Sequence, residues 1–248
     1  MKSCIRILLL LFLTISQCVF AEQLEIKVDQ NTVSLPYWPA QKSQHGAVII
    51  VRGGAQPEYS ELLVMLTKQL ARNGWSVVLL NCDSNNTTPW LNQIPETISS
   101  LRQNNNKRIV MIHYGEQLNV SLDYFSKPQS KMINGLVLLS AYGTSTDDKS
   151  YSSFRFPIFD VAGQFDYDTV LDQMQFRGKA FKAYAYKAVE MPGADHEYEY
   201  VQKLLISYIH GWMVKLPETN IQPRPIPVSY IEPVYLSQSQ LIAINNVE

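Results

Sequence analysis

Residues 107–120 read KRIVMIHYGEQLNV, and they join a predicted strand to a predicted helix. The run from Ile109 to Ile112 is continuously apolar, which is typical of a strand that is buried on both faces. A helix is predicted to open near Glu116 and to run to about Ser126. Gly115 therefore lies in the turn between them, and the stretch predicts one strand–turn–helix unit of a larger sheet.

Strands and helices alternate on both sides of this unit. Apolar runs and period-2 patterns predict further strands over 24–28, 32–38, 47–51, 75–80, 134–140, 156–162 and 183–191. Helical spacing predicts helices over 58–73, 90–103, 168–175 and 197–215, the last with Tyr200, Leu204, Leu205 and Ile209 facing inward. This order predicts an α/β fold with a doubly wound, mostly parallel sheet and an antiparallel hairpin at its amino-terminal edge.

The first 21 residues have the pattern of a secretory signal peptide. Lys2 and Arg6 precede an apolar run, and small residues end at Ala21, after which cleavage is expected. A lipid anchor at Cys18 is the alternative, although Gln17 is bulky for the residue before a lipidated cysteine. The apolar run is short for a membrane span, so we expect no transmembrane helix after cleavage and a periplasmic or secreted protein.

Cleavage would leave one domain over residues 22–216, long enough for a sizeable core, followed by a tail. The chain after residue 21 contains 19 basic and 22 acidic residues, and this formal charge of −3 argues against nucleic acid as a partner. Cys82 is the one cysteine beyond the signal segment, so we expect no disulfide within the chain.

Residues 217–248 differ in composition from the domain before them. They hold five of the thirteen prolines, and Pro223, Pro225 and Pro227 stand at alternate positions. This pattern excludes a helix and favours extended, polyproline-like chain. Two interpretations stay open: a strap that packs on its own domain, and an arm that docks onto a protein or envelope partner.

Several motifs occur in order along the domain. They are Arg52-Gly53-Gly54 after a strand, Gly74-Trp75 after a helix, the turn at Gly115, Gly163-Gln164-Phe165-Asp166 after a strand, and Gly193-Ala194-Asp195-His196 before the last helix. Over about residues 47–212 this order resembles the α/β-hydrolase superfamily. It is more closely similar to an uncharacterised bacterial family of secreted α/β-hydrolase-like proteins, which carry an acid and a histidine late in the chain.

The resemblance implies two members of a catalytic triad. Asp166 stands where the superfamily's acid orients an imidazole, and His196 stands where the general base lies. The third position is Gly115, because the turn from His113 to Gln117 replaces the G-x-S-x-G nucleophile elbow. The serine and both flanking glycines are missing. The alternative for His196 is a loop histidine near a carboxylate that carries out no chemistry.

The same resemblance implies an oxyanion hole from backbone amides at Arg52 and Gly53. Arg52 replaces the family's histidine, and its guanidinium is either a surface group or a bidentate ligand for an anion. Tyr114 and Glu116 flank Gly115 and are candidate binding residues. Tyr114 and His113 are both expected to reach the pocket.

Two other side chains are candidate nucleophiles. Ser140 ends a neighbouring strand, but a whole strand separates it from the elbow. Cys82 follows another strand, and a small buried apolar residue is the plainer interpretation. The four histidines lack the spacing of metal ligands, so we predict neither a metal nor a cofactor.

Two functions fit these residues. The sequence favours an exported, non-catalytic binding or envelope-associated protein, because Gly115 removes the covalent route of a serine triad. The alternative is an active ester or amide hydrolase, in which Asp166 and His196 work with an unusual nucleophile or an activated water.

Overall fold

A computed structural model of the chain describes residues 21–54, 60–80, 88–127, 133–143, 154, 156–181 and 186–219. The predicted signal segment up to residue 20, Cys82 and residues 220–248 of the predicted tail lie outside the described residues.

Eight strands form one sheet. They are β1 Glu22–Val28, β2 Asn31–Trp38, β3 Gly46–Gly53, β4 Trp75–Leu79, β5 Ile109–Gly115, β6 Gly135–Leu139, β7 Ile158–Phe165 and β8 Tyr186–Asp195. Their spatial order is β1-β2-β4-β3-β5-β6-β7-β8. β2 is antiparallel to both β1 and β4, and the pairs from β4 to β8 are parallel. The predicted mostly parallel sheet with an amino-terminal antiparallel hairpin is confirmed.

Helices cover both faces of the sheet. The described residues contain α1 Glu61–Arg72, α2 Trp90–Gln103, α3 Leu118–Ser126, α4 Asp168–Ala180 and α5 Gln202–Met213. Apolar residues of α1 and α5 share one core cluster, and those of α2 and α3 share the other. Because side chains of a strand alternate between faces, Met111 of β5 enters one cluster and Ile112 the other. No helix in these ranges is long and apolar enough to cross a membrane.

The structure moves several predicted boundaries. β7 and β8 run on to Phe165 and Asp195, where these two residues pair, so Asp166 and His196 each follow directly on a strand. The fourth helix extends to Ala180 instead of residue 175, and the fifth begins at Gln202 instead of residue 197.

The predicted inward face of the last helix is partly wrong. Tyr200 is 85% exposed and Leu204 is 44% exposed, whereas Leu205 and Ile209 are fully buried. The helix begins at Gln202, so Tyr200 precedes it and does not share its periodicity. The buried stripe consists of Leu205, Ile206, Ile209 and Met213.

The chain beyond α5 packs at the amino-terminal end of β5. The Thr219 amide donates to the carbonyl oxygen of Lys107 at 2.9 Å, and Glu218 forms an ion pair with Arg108 at 3.1 Å. The first residues of the predicted tail therefore contact the domain at the end of the sheet that lies opposite the carboxyl ends of the parallel strands.

Candidate active site

The carboxyl ends of the parallel strands surround a pocket of about 460 Å³. Its lining consists of Arg52, Gly53, Gly54, Tyr114, Gly115, Glu116, Tyr142, Tyr167, His196 and Glu197. Ligands of open α/β sheets bind at this edge. The structure thus brings the predicted triad, oxyanion and binding residues together, because Arg52, Gly53, Tyr114, Gly115, Glu116 and His196 line the pocket and Asp166 lies behind His196.

Asp166 and His196 form a hydrogen-bonded pair. Nδ1 of His196 lies 2.7 Å from Oδ1 of Asp166. Since an ionised carboxylate accepts hydrogen bonds and donates none, Nδ1 carries the hydrogen, and Nε2 is the ring nitrogen left to take up a proton. This is the tautomer that a general base requires.

The surroundings of Asp166 favour its ionised form. Burial by itself would raise the pKa of this carboxyl, but hydrogen bonds from His196 and Ser140, and the amide of Tyr167 at 2.9 Å, outweigh burial and lower the pKa. Asp166 therefore holds a full negative charge against the imidazole at neutral pH.

Ser140 lies behind the acid and outside the pocket. Its hydroxyl donates to Oδ2 of Asp166, the oxygen opposite the one that binds His196, and lies 2.7 Å from the hydroxyl of Tyr198. The side chain is fully buried, and its φ is +44°. Ser140 therefore holds the acid in place and does not fit the role of nucleophile.

Gly115 retains the backbone of a nucleophile elbow. Its φ is +81°, in the left-handed region that residues with side chains rarely adopt. It pairs with Gly53 in the β3–β5 ladder, and its carbonyl oxygen accepts a hydrogen bond from the amide of Tyr142 at 3.0 Å. A sharp turn from a strand into a helix is the setting of the elbow. The turn is present, and the attacking side chain is absent.

The expectation that His113 reaches the pocket is wrong. Successive residues of a strand point to opposite faces, so His113 lies beneath the elbow, fully buried. Its Nε2 donates to the carbonyl oxygen of Glu116 at 2.7 Å, and its Nδ1 accepts from the hydroxyl of Ser121 at 2.8 Å. Burial lowers the pKa of His113 to about 4, so the ring is neutral and supports the turn.

Tyr114 reaches the pocket as expected. Its hydroxyl donates to Oε1 of Glu197 at 2.8 Å, and the guanidinium carbon of Arg52 lies 6.0 Å from its ring centre. Burial and the carboxylate of Glu197 raise the pKa of Tyr114 above its ordinary value. The phenol therefore stays protonated, and Tyr114 is unsuited to act as a nucleophile.

The side chain of Glu116 reaches Gly54, the residue that follows β3. Its Oε1 accepts a hydrogen bond from the hydroxyl of Tyr142 at 2.9 Å, and its Oε2 lies 3.1 Å from where a Cβ on Gly54 would be. Burial and the neighbouring Glu116 raise the pKa of Tyr142 to about 12. A carboxylate thus lies beside the backbone at which the resemblance places the oxyanion hole.

Three residues that line the pocket are not predicted from the sequence: Tyr142, Tyr167 and Glu197. The ring of Tyr167 stacks on His196, with centroids 4.3 Å apart and planes 22° apart. For two of them the sequence offers a signal, because Tyr167 directly follows Asp166 and Glu197 directly follows His196. Within the described residues, no three His, Cys, Asp or Glu side chains are grouped to hold a metal ion.

No protein-family model matches the sequence, and no curated protein matches it. Solved structures do. Est1E from Butyrivibrio proteoclasticus matches with a TM-score of 0.61 at 14% identity, over 77% of this chain and 97% of that one. An alpha-beta serine hydrolase homologue from Coxiella burnetii matches with a TM-score of 0.61 at 12% identity, over 80% and 100% of the two chains. The Pyrococcus furiosus esterase Pf2001 matches with a TM-score of 0.62 at 13% identity, over 79% and 91%.

At these identities the likeness concerns the fold. The chain has an α/β-hydrolase-like fold, as the order of its sequence motifs predicts. The more specific resemblance, to a secreted bacterial family, stays a prediction.

Proposed function

We propose that this protein is a hydrolase of esters or amides in which His196, held by Asp166, activates a water molecule in place of a serine. The main observation behind this proposal is the 2.7 Å hydrogen bond between Asp166 and His196. It lies beside a pocket in which Gly115, at the position of the nucleophile, has no side chain. Of the two functions that the sequence leaves open, the geometry favours the hydrolase.

The reaction follows from the positions of these groups. A water in the space next to Gly115 attacks the carbonyl carbon of the substrate while Nε2 of His196 takes its proton. Backbone amides at Arg52 and Gly53, at the end of β3, and the amide of Glu116 stabilise the tetrahedral oxyanion. The imidazolium then gives the proton to the leaving alcohol or amine, so the products are an acid and that alcohol or amine.

The solved neighbours support this proposal. The Pyrococcus furiosus match is an esterase, the Rhodothermus marinus match is an esterase domain, and the Coxiella burnetii match is a serine hydrolase homologue. The present chain differs at the nucleophile, so the proposed step is direct attack by water. General-base catalysis alone contributes roughly 10²–10⁴-fold, and we expect slower turnover than a serine triad supports.

The test measures turnover of a panel of short- and long-chain p-nitrophenyl esters by purified residues 22–248. We expect slow hydrolysis that falls by about 10²-fold or more in His196→Ala and Asp166→Asn. Intact-mass spectrometry during turnover should show no acyl adduct. His45→Gln, altered just before β3 at the opposite end of the sheet, is the matched control and should retain the rate. Turnover that survives His196→Ala, or an acyl adduct, would overturn the proposal.

A second candidate, a non-catalytic binding protein, is favoured by Gly115 itself and by the Glu116 carboxylate beside the loop of the expected oxyanion hole. It predicts ligand binding in the pocket with no hydrolysis of any ester in the panel.

We also propose, from the sequence patterns, that the protein is exported to the periplasm or beyond and that residues 217–248 bind a protein or envelope partner. Pull-downs with and without residues 220–248 test the partner, and fractionation of expressing cells tests the location.

A further inference from the structure

The pocket carries more negative than positive charge. Glu116 and Glu197 line it, and Arg52 is the one Lys or Arg side chain in the described lining. Asp166, directly behind His196, adds a further ionised carboxylate. A cleft lined mainly by one sign of charge concentrates ligands of the opposite sign. The charge balance therefore favours a cationic ligand.

Both carboxylates are fixed in position by tyrosine hydroxyls. Tyr114 donates to Glu197 at 2.8 Å, and Tyr142 donates to Glu116 at 2.9 Å. The backbone of each tyrosine is held in place, because Tyr114 lies within the buried strand β5 and the amide of Tyr142 donates to the carbonyl oxygen of Gly115. The two negative charges thus have defined places, which a ligand can recognise at little ordering cost.

Aromatic rings line the same space. The ring centres of Tyr167, Tyr114 and Tyr142 lie 4.3, 5.4 and 6.4 Å from that of His196. Cations are attracted to the faces of such rings within about 6 Å, and quaternary ammonium groups are recognised by clusters of them. The guanidinium carbon of Arg52 lies 6.0 Å from the centre of one of these rings, that of Tyr114. Tyr142 and Tyr167 remain as walls for a ligand.

Glu116 gives a further reason for a cationic substrate. Its carboxylate lies against Gly54, next to Arg52 and Gly53, whose amides would hold the oxyanion. A negative charge at this place raises the energy of an oxyanion that forms on a neutral ester. A positive group on the substrate, near Glu116, would offset this charge in the transition state.

We propose that the pocket selects substrates that carry an ammonium group, so that the ester or amide it hydrolyses is cationic. Glu116 and Glu197 are the specificity-determining residues, and Tyr142 and Tyr167 contact the cation through their rings. Hydrolysis of a cationic substrate rests on the proposed function, whereas binding of an ammonium group in the pocket does not.

The experiment compares two probes of the same shape: choline and its neutral carbon isostere 3,3-dimethylbutan-1-ol. Affinity is measured by calorimetry or ligand-observed NMR with residues 22–248. We expect about tenfold tighter binding of choline at low salt, with the preference reduced at high salt. Glu116→Gln and Glu197→Gln should each reduce the preference several-fold, because glutamine still accepts the tyrosine hydrogen bond without the charge. Glu25→Gln, on the exposed edge strand β1, is the charge-matched control.

A second arm measures turnover of a p-nitrophenyl ester with a trimethylammonium group on its acyl chain, against the ester with a tert-butyl group in that place. We expect a higher kcat/KM for the cationic ester, and a reversal of part of this difference in Glu116→Gln. Equal binding of the two alcohols, or a preference that neither glutamine variant changes, would overturn the inference. Selective binding of choline without hydrolysis of either ester would sink the proposed function and leave the inference standing.

Discussion

The carbonyl oxygen of Gly53 lies 3.8 Å from the position that a Cβ atom on Gly115 would take, which is an ordinary van der Waals distance. No other heavy atom of the described residues lies within 4 Å of that position, apart from those of Gly115 and its chain neighbours. The elbow therefore has room for a side chain that the sequence does not supply. The backbone opposes a side chain at this position, because a φ of +81° lies in the left-handed region that residues other than glycine rarely adopt.

Gly115→Ser should create a reactive serine at the elbow. We expect labelling by a fluorophosphonate probe, and ester hydrolysis above the rate of the parent, since His196 already lines the pocket and is held by Asp166. The left-handed backbone should cost roughly 1–3 kcal/mol of stability. Gly115→Ala is the control, because it bears the same backbone strain without a nucleophile. Labelling of both variants, or of neither, would contradict the prediction.

Gly53→Ala should damage the fold where Gly115→Ser does not. A Cβ on Gly53 would lie 1.5 Å from the carbonyl oxygen of Glu116, which is backbone and has no flexible end to move aside. We expect a loss of more than roughly 3 kcal/mol in the free energy of unfolding, or failure to fold. Gly211→Ala should instead stabilise by roughly 0.5–1 kcal/mol, because a Cβ on Gly211 in α5 would meet no atom of the described residues within 4 Å beyond its chain neighbours and the nearby backbone of its own helix. Urea unfolding of the two variants measures both changes in the free energy of unfolding, a decrease for Gly53→Ala and an increase for Gly211→Ala.

The sequence predicts the sheet well because its strands are unusually uniform. The apolar runs of β3, β4, β5 and β6 are buried on both faces, and short runs of this kind, rich in β-branched residues, favour strands. The ends of β7 and β8 are harder to predict. Gln164 near the end of β7, and Pro192, Gly193 and Asp195 at the end of β8, are exposed, so the ladder that continues to Asp195 leaves no buried apolar run in the sequence.

The candidate site is predictable only where a motif names it. Asp166 and His196 follow from their places after two strands. The pairing of Tyr142 with Glu116 does not, because it joins two loops through side chains 26 residues apart. The role of Ser140 is equally hidden, since a serine that ends a strand has the same local sequence whether it attacks a substrate or holds an acid.

Ser140→Ala should raise the pKa of Asp166. The hydroxyl of Ser140 donates to Oδ2, and loss of this donor removes one of the bonds that stabilise the ionised form. Truncating a buried hydrogen-bonded hydroxyl should also cost roughly 1–3 kcal/mol of stability. Titration of the Asp166 carboxyl by carbon-13 NMR measures the shift. Ser121→Ala removes another fully buried hydroxyl, bonded to His113, and should lower stability without moving the pKa of Asp166.

The buried ring of His113 should make the protein less stable as the pH falls from about 6.5 to about 4. The folded-state pKa is about 4, and the unfolded value is about 6.5. In this interval His113 is protonated in the unfolded chain but stays neutral in the folded chain, so the free energy of unfolding decreases toward acid pH. Above about pH 6.5 the contribution is fully present. The total loss is roughly 3 kcal/mol, at about 1.4 kcal/mol for each unit of difference.

His113→Gln should flatten this dependence. The amide nitrogen of glutamine can still donate to the carbonyl oxygen of Glu116, and it does not titrate. We expect the variant to be less stable than the parent at pH 7 and to lose less stability on going to pH 4.5, as measured by urea unfolding at several pH values.

His210, whose pKa is also lowered by burial and by the charge of His45, contributes with the same sign in both proteins and cancels in the comparison. Asp166 contributes at lower pH, below its unfolded pKa of about 3.9, because its folded pKa is lowered. Equal slopes for parent and variant between pH 7 and 4.5 would show that the neutral ring under the elbow does not set the acid sensitivity of the fold.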